Sequence, residues 1–235
     1  MISHKEVFNR CETKYLLTRD KYEKLFNSIK EYLKPDEYPK STICNIYFDT
    51  DGYDLISHSI EKPIYKEKVR LRSYNVPTID DYVFLEIKKK FNGIVNKRRI
   101  KLSLRDYYNY LDNKELNTDN KQIKNEIDYI FKTYDLKPKM FIAYDRLCFV
   151  DKNDNTFRIT FDRNIRSREY DLKLEDGDKG NKYFEDEKVI MEVKAQDAYP
   201  TWFIKILSNL EIRPASFSKY GSIYTKKKKE NELCL

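Results

Sequence analysis

The sequence predicts an α+β fold in which about eight antiparallel strands form a barrel or strongly curved sheet, with helices packed outside. Three observations support this prediction. Segments whose side chains alternate between apolar and polar recur along the chain, and a period of two is typical of half-buried strands. Segments with apolar residues at helical spacing lie between some of them. The chain has no long linker rich in Pro, Gly or Ser and no internal repeat.

The alternating segments follow one another along the whole chain. The eight predicted strands are Arg10–Leu17, Ser41–Asp49, Lys66–Tyr74, Tyr82–Lys90, Ile94–Leu104, Lys139–Val150, Thr156–Asp162 and Val189–Ala195. The four predicted helices are Arg19–Leu33, Ser103–Leu111, Asn120–Tyr134 and Trp202–Leu210. Ser103 is a candidate helix cap, and Asn92-Gly93 between two strands predicts a hairpin turn. We expect a single domain over residues 1–235, with a core over about residues 5–225 and a basic tail over 226–235.

Composition limits the class of protein. The 235 residues include 13 Phe and 20 Tyr, and 40% are hydrophobic, which is enough for a sizeable core. The 46 basic and 39 acidic residues give a net charge of +7, which suits nucleic acid, an anionic membrane or a phosphorylated ligand. The cysteines form no CxxC pair, so a zinc site of the usual spacing is not expected. The N-terminus has no apolar leader, and no apolar run reaches the ~18 residues of a membrane span, so we expect a cytoplasmic protein.

The residues that alternate with the apolar positions are mostly cationic. In Lys66–Tyr74, Val69 and Leu71 alternate with Arg70 and Arg72, and similar patterns recur on other strands. These polar faces point either to solvent, as in most antiparallel sheets, or into a barrel whose apolar outside is covered by helices. The amphipathic helices favour the second geometry, as does the dominance of Arg and Lys over the Ser, Thr and Gln of ordinary solvated faces.

A cationic interior requires a counter-charge, because isolated buried charges are costly and like charges repel strongly at reduced dielectric. A polyanion would supply that charge. Arg suits bidentate phosphate contacts, and Lys acts as a point charge. The interspersed Glu residues suit a hard divalent cation that bridges phosphate oxygens. The pattern therefore indicates a triphosphate or longer phosphate chain, together with Mg²⁺ or Mn²⁺.

Eight short motifs occur in the order typical of a VTC domain, which the chain resembles from about residue 5 to 225. They are ETKY at Glu12–Tyr15, IYFDT at Ile46–Thr50, VRLRSY at Val69–Tyr74, FLEIKKK at Phe84–Lys90, YDR at Tyr144–Arg146, RITFD at Arg158–Asp162, MEVK at Met191–Lys194 and SKY at Ser218–Tyr220. VTC domains are the polyphosphate polymerase branch of the CYTH-like triphosphate tunnel metalloenzymes. The resemblance implies an eight-stranded antiparallel closed tunnel barrel with a polar, cationic lumen. It also implies transfer of the γ-phosphate of ATP onto a growing inorganic polyphosphate chain, with Mn²⁺ or Mg²⁺.

The resemblance also implies roles for individual residues. The implied catalytic residues are Arg70, Arg72, Lys88, Arg146 and Lys219, the last being the lysine of the SKY motif. The implied substrate-binding residues are Lys14, Lys101, Arg158 and Tyr144. Lys101 shares its face of the strand with Arg99, so the assignment could fall on either residue. Tyr144 would contact the nucleotide. The implied metal ligand is Glu192, with Glu12 and Glu86 as auxiliary ligands through water.

Two rival functions remain at this stage. Some members of the family carry a second lysine three residues before the SKY lysine, and this chain has Ser216 there. One rival is a non-catalytic polyphosphate-binding module that has lost turnover through Ser216. The other is an inorganic triphosphatase of the same fold, in which water replaces the acceptor chain. The membrane-spanning and SPX regions of eukaryotic members are not in this sequence, so any membrane partner is expected to be separate.

Nucleic acid is a less favoured ligand, because proteins that bind nucleic acid carry an exposed basic stripe with aromatic residues. No GxxxxGK[ST] loop occurs, which excludes a P-loop kinase.

Overall fold

The computed structural model describes residues 10–114, 118 and 120–233 of the chain. The predicted core residues 5–9 and tail residues 234–235 lie outside this part. The chain divides into two compact units. The first unit consists of Met1–Ser41, Asp145–Asn164 and Phe184–Phe217. The second unit consists of Thr42–Tyr144, Ile165–Tyr183 and Ser218–Leu235.

All eight predicted strands and all four predicted helices are found, but the first helix ends at Ile29, and Leu33, its predicted last residue, begins β2. The strands are β1 (Arg10–Leu17), β2 (Leu33–Asp49), β3 (Tyr65–Tyr74), β4 (Tyr82–Phe91), β5 (Ile94–Ser103), β6 (Lys137–Asp151), β7 (Arg158–Arg168), β8 (Asn181–Lys182) and β9 (Val189–Gln196). The helices are α1 (Arg19–Ile29), α2 (Asp54–Ile60), α3 (Leu104–Asn113), α4 (Lys121–Tyr134), α5 (Thr201–Asn209) and α6 (Lys219–Leu233). Helices α2 and α6 were not predicted. The first has only 7 residues, and the second carries no continuous apolar stripe.

The strands form one sheet, but the predicted closure into a barrel is wrong. The hydrogen-bonded order is β1-β9-β7-β6-β2-β3-β4-β5, and β8 pairs with β7. This path has two ends, since no pairing between β1 and β5 occurs among the described residues. Alternation of apolar and polar residues identifies the two faces of a strand, but it carries no information about which strands pair at the edges. The α+β class and the antiparallel pairing are confirmed.

In the first unit, strands β1, β9 and β7 pack one face against helices α1 and α5. The buried cluster on this face includes Tyr15, Leu25, Phe161, Val193 and Phe203. Helix α1 begins after Thr18, whose hydroxyl accepts a hydrogen bond from the amide of Lys21 at 3.3 Å. The register then aligns Lys14 with Glu192 and Glu192 with Thr160 on the opposite face of the strands.

In the second unit, strands β3, β4 and β5 pack one face against helices α3 and α4. The buried cluster there joins Leu71, Leu85 and Ile100 of the strands to Tyr110 and Ile127 of the helices. The predicted cap is confirmed, because the hydroxyl of Ser103 accepts from the amide of Asp106 at 3.0 Å. The predicted turn is also confirmed, since Asn92 and Gly93 both have positive φ angles, 43° and 84°.

Helix α6 of the second unit contains the first part of the predicted basic tail. Residues 226–233 are helical, and Lys227 is half-buried against Glu169, with a 2.6 Å ion pair. Along the part of the chain that the structure describes, no helix has both the length and the apolar character needed to cross a membrane.

Candidate functional site

The second unit contains a buried carboxylate surrounded by three cations, on the face of the sheet opposite α3 and α4. We call this set of Glu86, Arg70, Arg72 and Lys97 the Glu86 cluster. The Glu86 side chain is 2% exposed and lies 2.6 Å from Arg70 Nη2, 3.8 Å from Arg72 Nη1 and 3.3 Å from Lys97 Nζ. The register explains this arrangement, because Arg70 stands directly opposite Glu86 across β3 and β4. Three positive charges against one negative charge leave the cluster cationic.

The pKa values follow from this crowding. Burial alone would raise the pKa of Glu86, but Arg70, Arg72 and Lys97 together lower it to about 2. Burial is the main reason that the pKa of Lys97 is lowered to about 8. Glu86 raises this pKa, whereas the positive charges of Arg70 and Arg72 lower it. Glu86 therefore stays ionised at neutral pH, and an added anion would relieve the repulsion among the cations.

Polar side chains on β2 and β6 hold the two guanidinium groups in place. Arg70 Nη1 donates to the Tyr47 hydroxyl at 3.2 Å, and Arg72 Nε donates to Asn45 Oδ1 at 2.9 Å. Arg72 Nη2 donates to the hydroxyl of Tyr144 at 3.4 Å, so this predicted residue contacts a predicted phosphate ligand. Neither Asn45 nor Tyr47 was predicted from the sequence to bind the arginines. Their alternation with buried apolar residues in the IYFDT region was the available signal.

A row of three lysines crosses the same face next to the Glu86 cluster. The register places Lys68 opposite Lys88, and Lys88 opposite Lys97. Lys68 Nζ donates to Ser218 Oγ at 3.0 Å. Like charges directly opposite one another destabilise a sheet, so this row also favours a bound anion. The two-residue turn at Asn92-Gly93 fixes this register, and counting back from it would have identified Lys97.

Lys101 lies further along β5, at the exposed edge of the same face. It is opposite Phe84 in the register, and its Nζ lies 3.8 Å from the centre of the Tyr82 ring. Arg99 stacks in a similar way on Phe84, at 4.7 Å. Both cations therefore contact aromatic rings at a distance typical of cation–π contacts.

The SKY motif begins helix α6 and is fixed to the second unit by its tyrosine. The hydroxyl of Tyr220 donates to Asp49 Oδ2 at 3.0 Å, and the Tyr220 ring stacks on Tyr47 at 4.6 Å. Burial and the neighbouring Asp49 raise the pKa of Tyr220, so it remains a neutral donor. Lys219 Nζ lies 4.2 Å from the centre of the Tyr144 ring. Tyr47, on which Tyr220 stacks, contacts Arg70, and Tyr144, which lies next to Lys219, contacts Arg72. The SKY motif is therefore adjacent to the Glu86 cluster.

The first unit contains a separate group of predicted residues around Lys194. Its ammonium lies 2.8 Å from Glu192 Oε1 and 3.8 Å from Glu12 Oε2. Burial would raise the pKa of Glu192, but Lys194, Lys14 and Arg146 lower it to about 2. Lys14 Nζ also donates to the carbonyl of Phe217 at 3.3 Å. Two carboxylates and several cations thus meet on one face of β1 and β9.

The two predicted arginines of the first unit are each held by a carboxylate. Arg146 donates from Nε and Nη2 to the two oxygens of the buried Asp162, at 2.6 and 2.8 Å. Arg158 forms a 2.6 Å ion pair with Asp36, and its side chain is 46% exposed. The bidentate contact orients the Arg146 guanidinium. Its partner Asp162 was not predicted as a site residue, although the RITFD motif contains it.

The residues around Lys194 fit a divalent cation only when an anionic ligand completes the site. Glu12 and Glu192 both contact one ammonium, so their carboxylates converge on a position that already holds a positive charge. In the described part of the chain, no group of three or more His, Cys, Asp and Glu is arranged to hold a metal. Phosphate oxygens would supply the missing ligands. Glu86, in contrast, has no second carboxylate beside it in the Glu86 cluster that could share a metal ion.

The predicted site residues therefore fall into two sets, one in each unit. The first unit contains Glu12, Lys14, Arg146, Arg158 and Glu192. The second unit contains Arg70, Arg72, Glu86, Lys88, Lys101, Tyr144 and Lys219. Within the second set, the structure brings Arg70, Arg72, Glu86 and Tyr144 into direct contact. Ser216, the position of the expected lysine, is exposed.

Comparison with protein families gives one match that covers nearly the whole chain. The model of the VTC domain matches residues 9–226. No curated protein matches the chain.

Solved structures of similar fold have been determined from two bacteria. One is a provisionally assigned adenylate cyclase from Bacillus halodurans, with a TM-score of 0.54 and 14% identity, covering 88% of this chain and 92% of that one. Another is a provisionally assigned adenylate cyclase from Vibrio parahaemolyticus, with a TM-score of 0.51 and 11% identity, covering 92% of this chain and 97% of that one. At these identities the likeness concerns the fold.

Proposed function

The chain belongs to the VTC domain family, and from this membership we propose that it is a polyphosphate polymerase that transfers the γ-phosphate of ATP onto a growing inorganic polyphosphate chain. The membership confirms the resemblance seen in the eight short motifs. The finer assignment, to polymerase activity with ATP as the donor, is our proposal.

The observation that carries the proposal is the Glu86 cluster. Three cations surround one carboxylate that is 2% exposed, and Tyr47, Asn45 and Tyr144 bind the guanidinium groups. The donors are therefore oriented before any ligand binds. A phosphate chain carries one or more negative charges on each phosphate, so it is the type of anion that three ordered cations would bind most strongly.

Transfer of a phosphoryl group requires mainly positioning and charge stabilisation, and no covalent protein nucleophile is needed. In our proposal, a terminal oxygen of the acceptor chain attacks the γ-phosphorus of ATP. The bond between that phosphorus and the β,γ-bridging oxygen breaks, and ADP leaves. Arg70, Arg72 and Lys88 hold the transferring and neighbouring phosphates. Arg146, Arg158 and Lys219 stabilise the developing charge or guide the chain, together with Lys14 and Lys101.

A divalent cation, Mn²⁺ or Mg²⁺, is part of the proposal. Glu192 would hold it with the help of Glu12, and it would offset charge on the phosphate oxygens. We assign Glu86 a different role from these two residues. Glu86 is the one carboxylate of the Glu86 cluster and lies 2.6 Å from Arg70 and 3.8 Å from Arg72, so it serves as the counter-ion that keeps these two arginines in place.

The proposal is tested by incubating the purified protein with ATP and Mn²⁺ and analysing every phosphorus-containing product. We expect ADP to appear together with long-chain polyphosphate. The variant Arg70→Met should lower the rate by at least about 100-fold, because loss of a charge-assisted contact in the transition state costs several kcal/mol. Arg105→Met is the matched control, since Arg105 forms an exposed ion pair with Asp80.

Other product patterns would contradict the proposal. Orthophosphate released from tripolyphosphate without chain growth would identify a triphosphatase. Tight, metal-independent binding of polyphosphate with no turnover would identify a binding module, consistent with Ser216 in place of a lysine. Formation of cyclic AMP and pyrophosphate from ATP would place the chemistry at the α-phosphate.

A further inference from the structure

The tip of the β4–β5 hairpin in the second unit exposes several large apolar side chains. Ile64, Phe91, Ile94 and Val95 are 71, 61, 75 and 49% exposed. The register joins Tyr65, Phe91 and Ile94 in one cross-strand row, and Lys66, Lys90 and Val95 in the row on the other face. Scattered apolar residues are common on protein surfaces, but here apolar side chains occupy both faces of the hairpin tip, and Ile64 lies beside the tip just before β3. We treat these four residues as one apolar patch around the tip.

Three lysines, Lys62, Lys66 and Lys90, lie beside this patch. Burial lowers the pKa of Lys66, and the nearby positive charges of Lys90 and Lys62 lower it further. In the part of the chain that the structure describes, Lys62, Lys66 and Lys90 take part in no ion pair. Glu61 adjoins Lys62 in the sequence, so the three lysines still leave an excess of positive charge. We call the four apolar residues and the three lysines the basic tip.

The basic tip is ordered by backbone contacts. The amide of Asn92 donates to the carbonyl of Ile64 at 2.9 Å, which joins the turn to the preceding segment. Lys66 Nζ donates to the carbonyl of Ser59 at 3.1 Å, which orients that ammonium. These contacts join the turn and Lys66 to the neighbouring segments, while the apolar side chains of the tip are exposed.

We propose that the basic tip docks onto an anionic lipid bilayer, with Phe91, Ile94 and Ile64 in the interface and the three lysines on acidic headgroups. The combination of apolar side chains at a projecting turn with adjacent lysines is what such a surface binds. A phosphate chain alone would leave the apolar side chains exposed. A second copy in a symmetric contact would bring the lysines of both copies together, which is repulsive. This docking does not depend on the proposed enzymatic function.

Vesicle co-sedimentation of the full-length chain tests the proposal. We expect binding to phosphatidylcholine vesicles that contain phosphatidylserine, little binding to pure phosphatidylcholine, and weakening at higher salt. Each lysine near an anionic surface contributes roughly a fivefold factor, so Lys62→Gln, Lys66→Gln and Lys90→Gln together should lower the partition coefficient about 100-fold.

The double variant Phe91→Ser, Ile94→Ser separates membrane docking from polyphosphate binding. Loss of both apolar side chains should lower vesicle binding about tenfold or more and leave turnover of ATP unchanged. Ile204→Ser is the control, because Ile204 is 52% exposed on α5 and lies outside the basic tip. Equal vesicle binding by the double variant and the wild type would overturn the proposal. It would also be overturned if the wild type fails to bind anionic vesicles, or if the double variant changes the oligomeric state and vesicle binding does not change.

Discussion

At the scale of single residues, the two faces of the β3–β5 sheet give carboxylates different roles. Glu86 lies on the polar face, where it is 2% exposed and contacts three cations. Glu126 of α4 lies on the helical side, where it is 25% exposed and contacts Lys89 at 3.4 Å and Arg98 at 3.2 Å. Both carboxylates neutralise neighbouring cations. Of these two groups, the Glu86 cluster has the larger excess of positive charge, with three cations around one carboxylate, whereas Glu126 contacts two cations. We therefore expect a phosphate chain to bind at the Glu86 cluster and not at Glu126.

This difference predicts unequal responses to loss of charge. Glu86→Gln should lower the free energy of unfolding by about 3–5 kcal/mol, because it leaves buried cations without their counter-ion. Saturating polyphosphate should recover much of that loss, since a polyanion replaces the missing charge. Glu126→Gln is the matched variant and should cost about 1 kcal/mol or less, with no specific recovery. Urea unfolding with and without polyphosphate measures both effects. If polyphosphate raised the free energy of unfolding of the two variants equally, polyphosphate would not bind specifically at the Glu86 cluster.

The sequence was sufficient to place Arg70, Arg72 and Glu86 on one face, because strict alternation fixes the side of a strand on which each residue lies. It did not identify Asn45 or Tyr47 as the residues that bind the two arginines. Such contacts depend on which strands are neighbours, and alternation does not contain that information. The partner of Arg146 depends in the same way on the position of β7 next to β6.

At the scale of elements, helix α6 is the feature that sequence patterns do not reveal. Its apolar residues form no single stripe, since it is held mainly by specific polar and aromatic contacts. Tyr220 donates to Asp49, and Asp49 also accepts hydrogen bonds from the amides of Leu55 and Ile56 at the start of α2. One buried carboxylate therefore fixes two helices. The position of Lys219 follows from this attachment.

Removal of the Tyr220 hydroxyl should loosen α6. Tyr220→Phe should lower the free energy of unfolding by about 1.5–3 kcal/mol, because a buried hydrogen bond to a carboxylate is lost. It should also weaken polyphosphate binding, since Lys219 is the adjacent residue.

Tyr224→Phe is the control for this prediction. Tyr224 hydrogen-bonds the hydroxyl of Ser57 at 2.9 Å, and loss of this neutral contact should cost about 1 kcal/mol. Thermal unfolding and equilibrium binding measure the two effects. The assignment fails if Tyr220→Phe binds polyphosphate as tightly as Tyr224→Phe does.

At the scale of the whole molecule, the fold class was predictable and the closure of the sheet was not. Period-two alternation located all eight long strands, and helical spacing located four helices, because both patterns are local. Pairing at the edges of the sheet is not local. A closed barrel was predicted, but the sheet is open, with β1 and β5 at the two ends of the strand order. The family match over residues 9–226 confirms the resemblance that the eight short motifs, taken in order, indicated.

The most direct test of the central claim compares two neighbouring lysines of β4. Lys88 lies on the polar face, opposite Lys68 and Lys97, whereas Lys89 lies on the helical side and contacts Glu126. Equilibrium binding of labelled polyphosphate should weaken about tenfold or more in Lys88→Met, because a charge-assisted contact is lost. Binding by Lys89→Met should stay within about twofold of the wild type. Equal losses in the two variants, or a larger loss in Lys89→Met, would contradict the claim that the polar face binds phosphate.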